Sequence, residues 1–265
     1  MIAKDSLRED FQSGKPTLGT HFLSCDPDLA EIIGDVGLFD YAEFCAEYST
    51  FDMSLLYHMA RAAQCADLPL MIKLDQMNQG FWAQAAIGAG FKAVLFTDIR
   101  SQDDVESCYQ SIRPDNPAGQ GLMGIKLRRP AFGSYGHDAY LADLESILFL
   151  VMIEKTVAVD NLDMVLEKAK ARGVDMTQWG PADFGFSRGQ PDLMDTDEIK
   201  PFEELVIGKS IDYGIAPRIE IRSVDQAQRY MDLGVRHFCV GWDRFIFQSA
   251  LANIGEGMQK LLSSL

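Results

Sequence analysis

Eight short apolar runs, separated by amphipathic stretches from one end of the chain to the other, limit the folds open to this sequence more than any other feature. The runs lie at residues 18–23, 41–46, 70–74, 93–98, 148–153, 174–179, 217–221 and 237–241, and each has the length of a strand rather than of a helix. Between them apolar residues recur at helical spacing, as in Leu162, Val165, Leu166 and Ala169. Asp26-Pro27-Asp28-Leu29 opens one helix with an N-cap and a first-turn proline, and Gly37, Gly90, Gly173 and Gly234 stand where a helix stops before the next strand. Strand and helix in strict alternation predict a (β/α)8 TIM barrel. A chain of 265 residues suits one such domain, spanning 1–265, and is short for two. Two segments stand outside the repeat. Residues 114–137, rich in Gly, Pro and Arg, predict a long loop of the kind that carries function or an interface. Residues 245–265 predict a C-terminal helix with an apolar face, packed on its own barrel or exchanged with a neighbouring subunit.

The charge balance narrows the partners. A net charge of −15 argues against nucleic acid or an anionic membrane surface, which are bound by clustered Lys and Arg. No apolar run reaches the roughly 20 residues that cross a bilayer. Five scattered cysteines without a C-x-x-C pair read as reduced thiols, and residues 1–14 lack the apolar core of a signal peptide. A cytoplasmic location is expected.

In a parallel barrel the functional side chains stand just past the C-terminal ends of the strands. Those positions hold His21 or Ser24, Glu47 and Tyr48, Lys73, Asp98, Glu154, Asp183, Glu220 or Arg222, and Asp243. Glu154 closes the apolar run 148–153, and Gly180-Pro181-Ala182-Asp183 follows the next one. Two carboxylates on one rim are hard oxygen ligands suited to Mg²⁺ or Mn²⁺.

Ile153-Glu154 with Gly180-Pro181-Ala182-Asp183, supported by Leu18-Gly19-Thr20, Phe39-Asp40-Tyr41 and Val240-Gly241-Trp242-Asp243, resembles the HpcH/HpaI aldolase family from end to end. These are class II, metal-dependent enzymes that make or break a C–C bond next to a 2-oxo acid. The resemblance implies Glu154 and Asp183 as ligands of Mg²⁺ or Mn²⁺, with Co²⁺ as an alternative. It implies that the backbone around Gly180, Pro181 and Ala182 helps hold the substrate carboxylate (Pro181 has no N–H), that the metal stabilises an enolate, and that Glu47 holds a water on the metal. Pyruvate or another 2-oxo acid and an aldehyde are the implied small-molecule partners. The implied assembly is a homo-oligomer, hexamer or trimer.

The chain also departs from the pattern. Where the family has Asp-x-Glu-His after the second strand, this sequence has Cys45-Ala46-Glu47-Tyr48; Lys73 stands in place of an Arg, Met152 of a Gln and Gly88 of an Asp. Lys73 supplies positive charge for the oxo acid without the flat guanidinium fork. Tyr48, with an ordinary pKa near 10, is a donor rather than a base. His21 stands where the family has a large aromatic residue and is the alternative proton carrier. Lys126, Arg128, Arg129 and Tyr135 in the long loop form a basic, aromatic patch suited to a second substrate carboxylate, with His137 a weaker third candidate for proton transfer. Three readings follow: an aldolase-type lyase using His21 or Tyr48, a decarboxylase or condensing enzyme on the same metal pair, and a non-catalytic binding protein.

Overall fold

The computed structural model describes residues 6–125 and 138–265. Its strands are β1 (Thr17–Phe22), β2 (Tyr41–Cys45), β3 (Leu70–Leu74), β4 (Ala93–Phe96), β5 (Leu148–Ile153), β6 (Met176–Trp179), β7 (Ala216–Ile221) and β8 (His237–Trp242). They pair in sequence order and in parallel, and β8 returns to β1, so the sheet closes into a barrel. The eight runs read from the sequence are these strands. The helices are α1 (Ser6–Gln12), α2 (Asp28–Val36), α3 (Met53–Cys65), α4 (Gln79–Ala89), α5 (Gln102–Ile112), α6 (Asp138–Glu145), α7 (Thr156–Asp160), α8 (Leu162–Ala171), α9 (Pro181–Ser187), α10 (Lys200–Asp212), α11 (Ala227–Asp232) and α12 (Asp243–Leu262).

Covered on both faces, the strands carry two apolar layers. Phe44, Ile72, Val94 and Phe149 belong to the outer layer with Leu56, Met59, Ala86 and Leu166 of the helices. Tyr41, Met71, Leu95, Leu150, Met152 and Met176 fill the barrel interior, and α1 adds Leu7 and Phe11 to them. The Phe11 ring lies 4.6 Å from that of His237, the first residue of β8, so α1 closes the N-terminal end of the barrel. Gly19 has a steric role here, because a Cβ at this position would run into the Tyr41 ring.

The interior is not wholly apolar. Arg218 on β7 and Glu43 on β2, both fully buried, form an ion pair at 2.5 Å across the barrel. Arg218 also donates to the Tyr41 hydroxyl at 2.8 Å and to Gln178 on β6. Three strands, β2, β6 and β7, thus meet at one guanidinium.

Two expectations lie partly beyond this picture. Residues 114–125 of the long loop are described, and Pro114 pairs with Met123 in an isolated bridge. Lys126, Arg128, Arg129, Tyr135 and His137 lie outside the described residues. The C-terminal helix begins at Asp243, whose carboxylate accepts the backbone N–H groups of Leu23 (3.1 Å) and Ser24 (2.9 Å). From Arg244 to the end every residue is exposed, including Phe245, Ile246, Phe247, Leu251 and Ile254. Beyond its first turn α12 runs clear of its own barrel.

Candidate active site

Glu154 sits one residue past β5, with its side chain turned into the mouth and only 3% exposed. Its Oε1 accepts the backbone N–H of Asp98 at 2.7 Å. Asp98 follows β4 and adopts the left-handed conformation, φ 60°, which aims that N–H across the rim. Burial pushes the Glu154 carboxyl up to about 7; Lys73 and the Asp98 N–H draw it down, while Asp183 and Glu47 add to the rise. Among the described residues no cation comes within ion-pair distance of Glu154.

Gly180 brings the second carboxylate alongside the first. A Cβ there would collide with Oε2 and Cβ of Glu154 and come within 2.9 Å of Met152 Cε. Only glycine lets the Glu154 side chain lie directly against the Gly180-Pro181-Ala182-Asp183 turn. Pro181 then opens α9 at a position where no N–H is needed, and Asp183 falls in its first turn, where a carboxylate is favoured by the helix dipole. One Asp183 oxygen, Oδ1, pairs with Lys155 Nζ at 2.7 Å, and the same ammonium pairs with Asp98 Oδ1 at 2.5 Å. The ammonium is held charged: burial opposes its charge, but the two carboxylates outweigh it and raise its pKa. Asp98 therefore holds both halves of the site, Glu154 through its N–H and Asp183 through Lys155.

These residues fit a divalent cation. A buried carboxylate with a raised pKa and no cation of its own, pressed against a second carboxylate-bearing turn, is the donor chemistry of a hard metal. Glu154 and the second oxygen of Asp183 are the atoms that would hold it.

On the opposite side of the mouth, β2 ends in a single 3-10 turn, Ala46–Tyr48, which carries Glu47 and Tyr48. Lys73 Nζ pairs with Glu47 Oε2 at 2.8 Å, lies 3.5 Å from the Tyr48 hydroxyl and 4.9 Å from the centre of its ring. Burial alone would discharge this lysine, yet Glu47 and the surrounding groups more than offset it and hold its pKa well above the ordinary value. Lys73 is a fixed cation, unsuited to the neutral-amine chemistry of a Schiff base. The Tyr48 phenol, half exposed, is pushed up by burial against the pull of Lys73, so it stays protonated and serves as a donor.

His21 lies deeper than its place in the sequence suggests. It is 1% exposed, with its ring edge-on to Trp242 at 4.4 Å between centroids. Nδ1 is 3.5 Å from Cys239 Sγ and 3.7 Å from Glu220 Oε2, while Nε2 is buried without a partner among the described residues. Burial first, then Arg218 and Lys73, lower its pKa to about 2, so the imidazole is neutral. Glu220 stands over it, and the Trp242 indole donates to Glu220 Oε1 at 2.9 Å.

The structure thus gathers His21, Glu47, Tyr48, Lys73, Glu154 and the Gly180–Asp183 turn at one end of the barrel. Lys155, Trp242 and the role of Glu220 did not follow from the sequence. The signal available for Glu220 was a charge in the alternating run Arg218-Ile219-Glu220-Ile221, where a strand buried on both faces ordinarily keeps apolar residues.

A sequence model of the family described as HpcH/HpaI aldolase/citrate lyase matches residues 49–250. The 2-keto-3-deoxy-L-rhamnonate aldolase of Salmonella paratyphi A is 27% identical over 255 residues, covering 95% of this chain and 92% of that relative. Among solved structures, a HpcH/Hpal aldolase/citrate lyase family protein from Burkholderia cenocepacia J2315 superposes with a TM-score of 0.86 at 22% identity, over 97% of this chain and 100% of that one. The citrate synthase SbnG superposes with a TM-score of 0.81 at 21% identity, over 97% and 99%. The two superpositions establish a shared fold.

Proposed function

The chain belongs to the HpcH/HpaI aldolase/citrate lyase family, and from that premise we propose that it is a divalent-metal-dependent carbon–carbon lyase acting on a 2-oxo acid. The observation that carries the reading is the contact between Glu154 and Gly180, which joins a buried, cation-free carboxylate to the turn bearing Asp183. Glu154 and Asp183 would hold Mg²⁺ or Mn²⁺, which when bound would supply Lewis acidity and so a sink for the electron pair of the broken bond. Lys73, a permanent cation at the mouth, neutralises the oxo-acid carboxylate. The N–H groups of Ala182 and Asp183 hold its oxygens, since the Gly180 N–H donates to the Ile153 carbonyl, and Tyr48 donates from the rim. Relatives named for a 2-keto-3-deoxy sugar acid point to a substrate that yields pyruvate and an aldehyde.

The test is proton exchange. Protein loaded with Mn²⁺ exchanges the C3 protons of pyruvate with deuterated water, and Glu154→Gln abolishes both this exchange and Mn²⁺ binding. Absence of exchange in the unsubstituted protein, with Mn²⁺ bound, removes pyruvate enolisation as its chemistry. Decarboxylation of a 2-oxo diacid is the second reading, favoured by the neutral His21 and protonated Tyr48, since that reaction needs only an electron sink to start.

We further propose a cytoplasmic homo-oligomer in which α12 is exchanged between subunits. Its apolar residues have no cover on their own barrel, and Ile32 and Val36 on α2 are exposed as well. A partner's α12 seated on such surface removes both from water. Hexamer and trimer both allow this exchange, reciprocally about a two-fold in the first and cyclically in the second.

A further inference from the structure

We propose that Glu220, oriented by Trp242 and backed by His21, is the proton carrier of this barrel. The inference rests on the reading of the chain as an enolising lyase. It begins from the carboxylates that the strands bring inside or onto the rim. Glu43 is fully buried and locked to Arg218. Glu47 is paired with Lys73. Glu154 and Asp183 are joined through Asp98, Lys155 and Gly180 as the metal pair. Glu220 alone among these is oriented without being committed. The Trp242 indole N–H fixes Oε1 at 2.9 Å, and the group opposite Oε2 at 3.7 Å is the uncharged His21 ring.

Its depth suits the task. Arg218 and Glu220 are two residues apart on β7, so they share the inward face. Arg218 lies in the sealed layer, whereas the Glu220 side chain, one step nearer the mouth, keeps 28% exposure. A ligand in the mouth can reach it. The other two proton carriers considered are less suited: His21 is sealed beneath Trp242, and Tyr48 keeps its proton.

The charged and titratable groups facing Glu220 are Glu43, Cys45 and Glu47 from β2 and the turn after it, Lys73 from β3, Arg218 from its own strand, His21 from β1 and Cys239 from β8. Burial is the largest influence and raises the carboxyl; Glu43 adds to the rise, Lys73 and Arg218 oppose it, and Glu47 adds a little more, leaving it at about 7. A general acid–base group works best with a pKa near the operating pH. Neutral His21 contributes by position, since a third cation at that place, beside Lys73 and Arg218, would hold Glu220 ionised.

The proton balance closes on one group. In cleavage the Glu220 carboxylate takes the proton of the C4 hydroxyl. The C3–C4 bond breaks, its electron pair stays with the 2-oxo acid as an enolate, and the aldehyde leaves with a C=O bond. The Glu220 carboxyl then returns the proton to C3, giving pyruvate and restoring the carboxylate. Condensation is the reverse, beginning with removal of a C3 proton.

The test uses the full-length protein with Mn²⁺. Glu220→Gln keeps the shape of the side chain and an acceptor for Trp242, and Glu220→Asp withdraws the carboxyl by one methylene. We expect Glu220→Gln to bind Mn²⁺ as the parent does and to slow pyruvate C3 exchange by roughly 10²–10⁴-fold, while oxaloacetate decarboxylation, which needs no base to start, stays within a few fold. Glu220→Asp retains part of the exchange, with its pH profile displaced from that of the parent. Infrared titration of the metal-free protein gives a second readout. Two carboxyls, those of Glu154 and Glu220, lose their protonated band near pH 7 in the parent, and in Glu220→Gln only one of them remains to do so. Exchange that survives Glu220→Gln with an unaltered pH profile overturns the assignment and leaves the enolising reading intact. So does a parent protein in which no carboxyl band is lost by Glu220→Gln. A parent that binds Mn²⁺ and performs neither exchange nor decarboxylation overturns both.

Discussion

A single methyl group at position 180 tests the central contact of the site. In Gly180→Ala the new Cβ falls on Glu154 Oε2 and Cβ and lies 2.9 Å from Met152 Cε, so at least one of these must move. Glu154 is the side chain we expect to yield, because its carboxylate is held by one N–H, that of Asp98, whereas Met152 is packed in the barrel interior. Inserting a methyl into a filled site costs about 1–3 kcal/mol, which in a domain of this size lowers Tm by roughly 2–4 °C per kcal/mol. Displacing a metal carboxylate through its support typically costs 10–100-fold in affinity. The stabilisation conferred by saturating Mn²⁺ then falls by about 1.4–2.7 kcal/mol. Thermal melting with and without Mn²⁺, combined with titration of free Mn²⁺ by electron paramagnetic resonance, measures both. Gly208→Ala is the control, because a Cβ at that helical position meets no atom within 4 Å; it should leave Tm level or raise it. If Gly180→Ala melts and binds Mn²⁺ like the parent, the contact does not place Glu154, and the reading of the site built on it is wrong.

Three further outcomes follow from other parts of the molecule. Arg218→Met leaves Glu43 as an uncompensated buried carboxylate and should cost about 3–5 kcal/mol in chemical denaturation, with the double variant Arg218→Met/Glu43→Leu recovering most of the loss; a single variant as stable as the parent refutes the ion pair's structural role. Ending the chain after Arg244 removes the exposed apolar face of α12, where each buried large side chain contributes about 1.5–3 kcal/mol to an interface. Light scattering should then find smaller particles whose circular dichroism still reports a barrel, and an unchanged assembly refutes exchange of this helix. Glu220 has a folded-state pKa of about 7 against an ordinary 4.5, so it stabilises the fold when protonated. That contribution is complete below about pH 4.5, disappears as pH rises through about 7, and amounts to about 3 kcal/mol. Denaturation of metal-free protein at pH 5 and pH 8 should show this loss together with that of Glu154, whose carboxyl is likewise raised to about 7, and Glu220→Gln should reduce the total by about 3 kcal/mol; an equal loss in the variant refutes the assignment.

How much of this was legible beforehand depends on the range over which each feature is encoded. The strands were legible because each is a local run whose length and apolarity announce it, and the closed parallel topology followed from their alternation with helices. Glu154 and Asp183 were legible as candidates because each follows the end of a strand within a short motif. The C-terminal helix was legible as a helix, but its departure from the barrel was not, since an apolar face reads the same whether it covers its own barrel or another.

His21 and Glu220 mark the boundary. From sequence, His21 was a rim residue suited to carry protons; in the fold the T-shaped contact with Trp242 seals it, and desolvation makes it neutral. The contact between Arg218 and Glu43 spans 175 residues and that between Cys239 and His21 spans 218. Side-chain periodicity shows that such residues point inward but not which strand they will meet or how much water remains. The sequence by itself determined the barrel, and it singled out Glu154 and Asp183 at one rim as the proposed metal pair. Only closure of the barrel decided which carboxylates are neutralised by a cation and which is left free to exchange a proton, because that depends on distances across the interior and on burial, and neither exists until β8 meets β1.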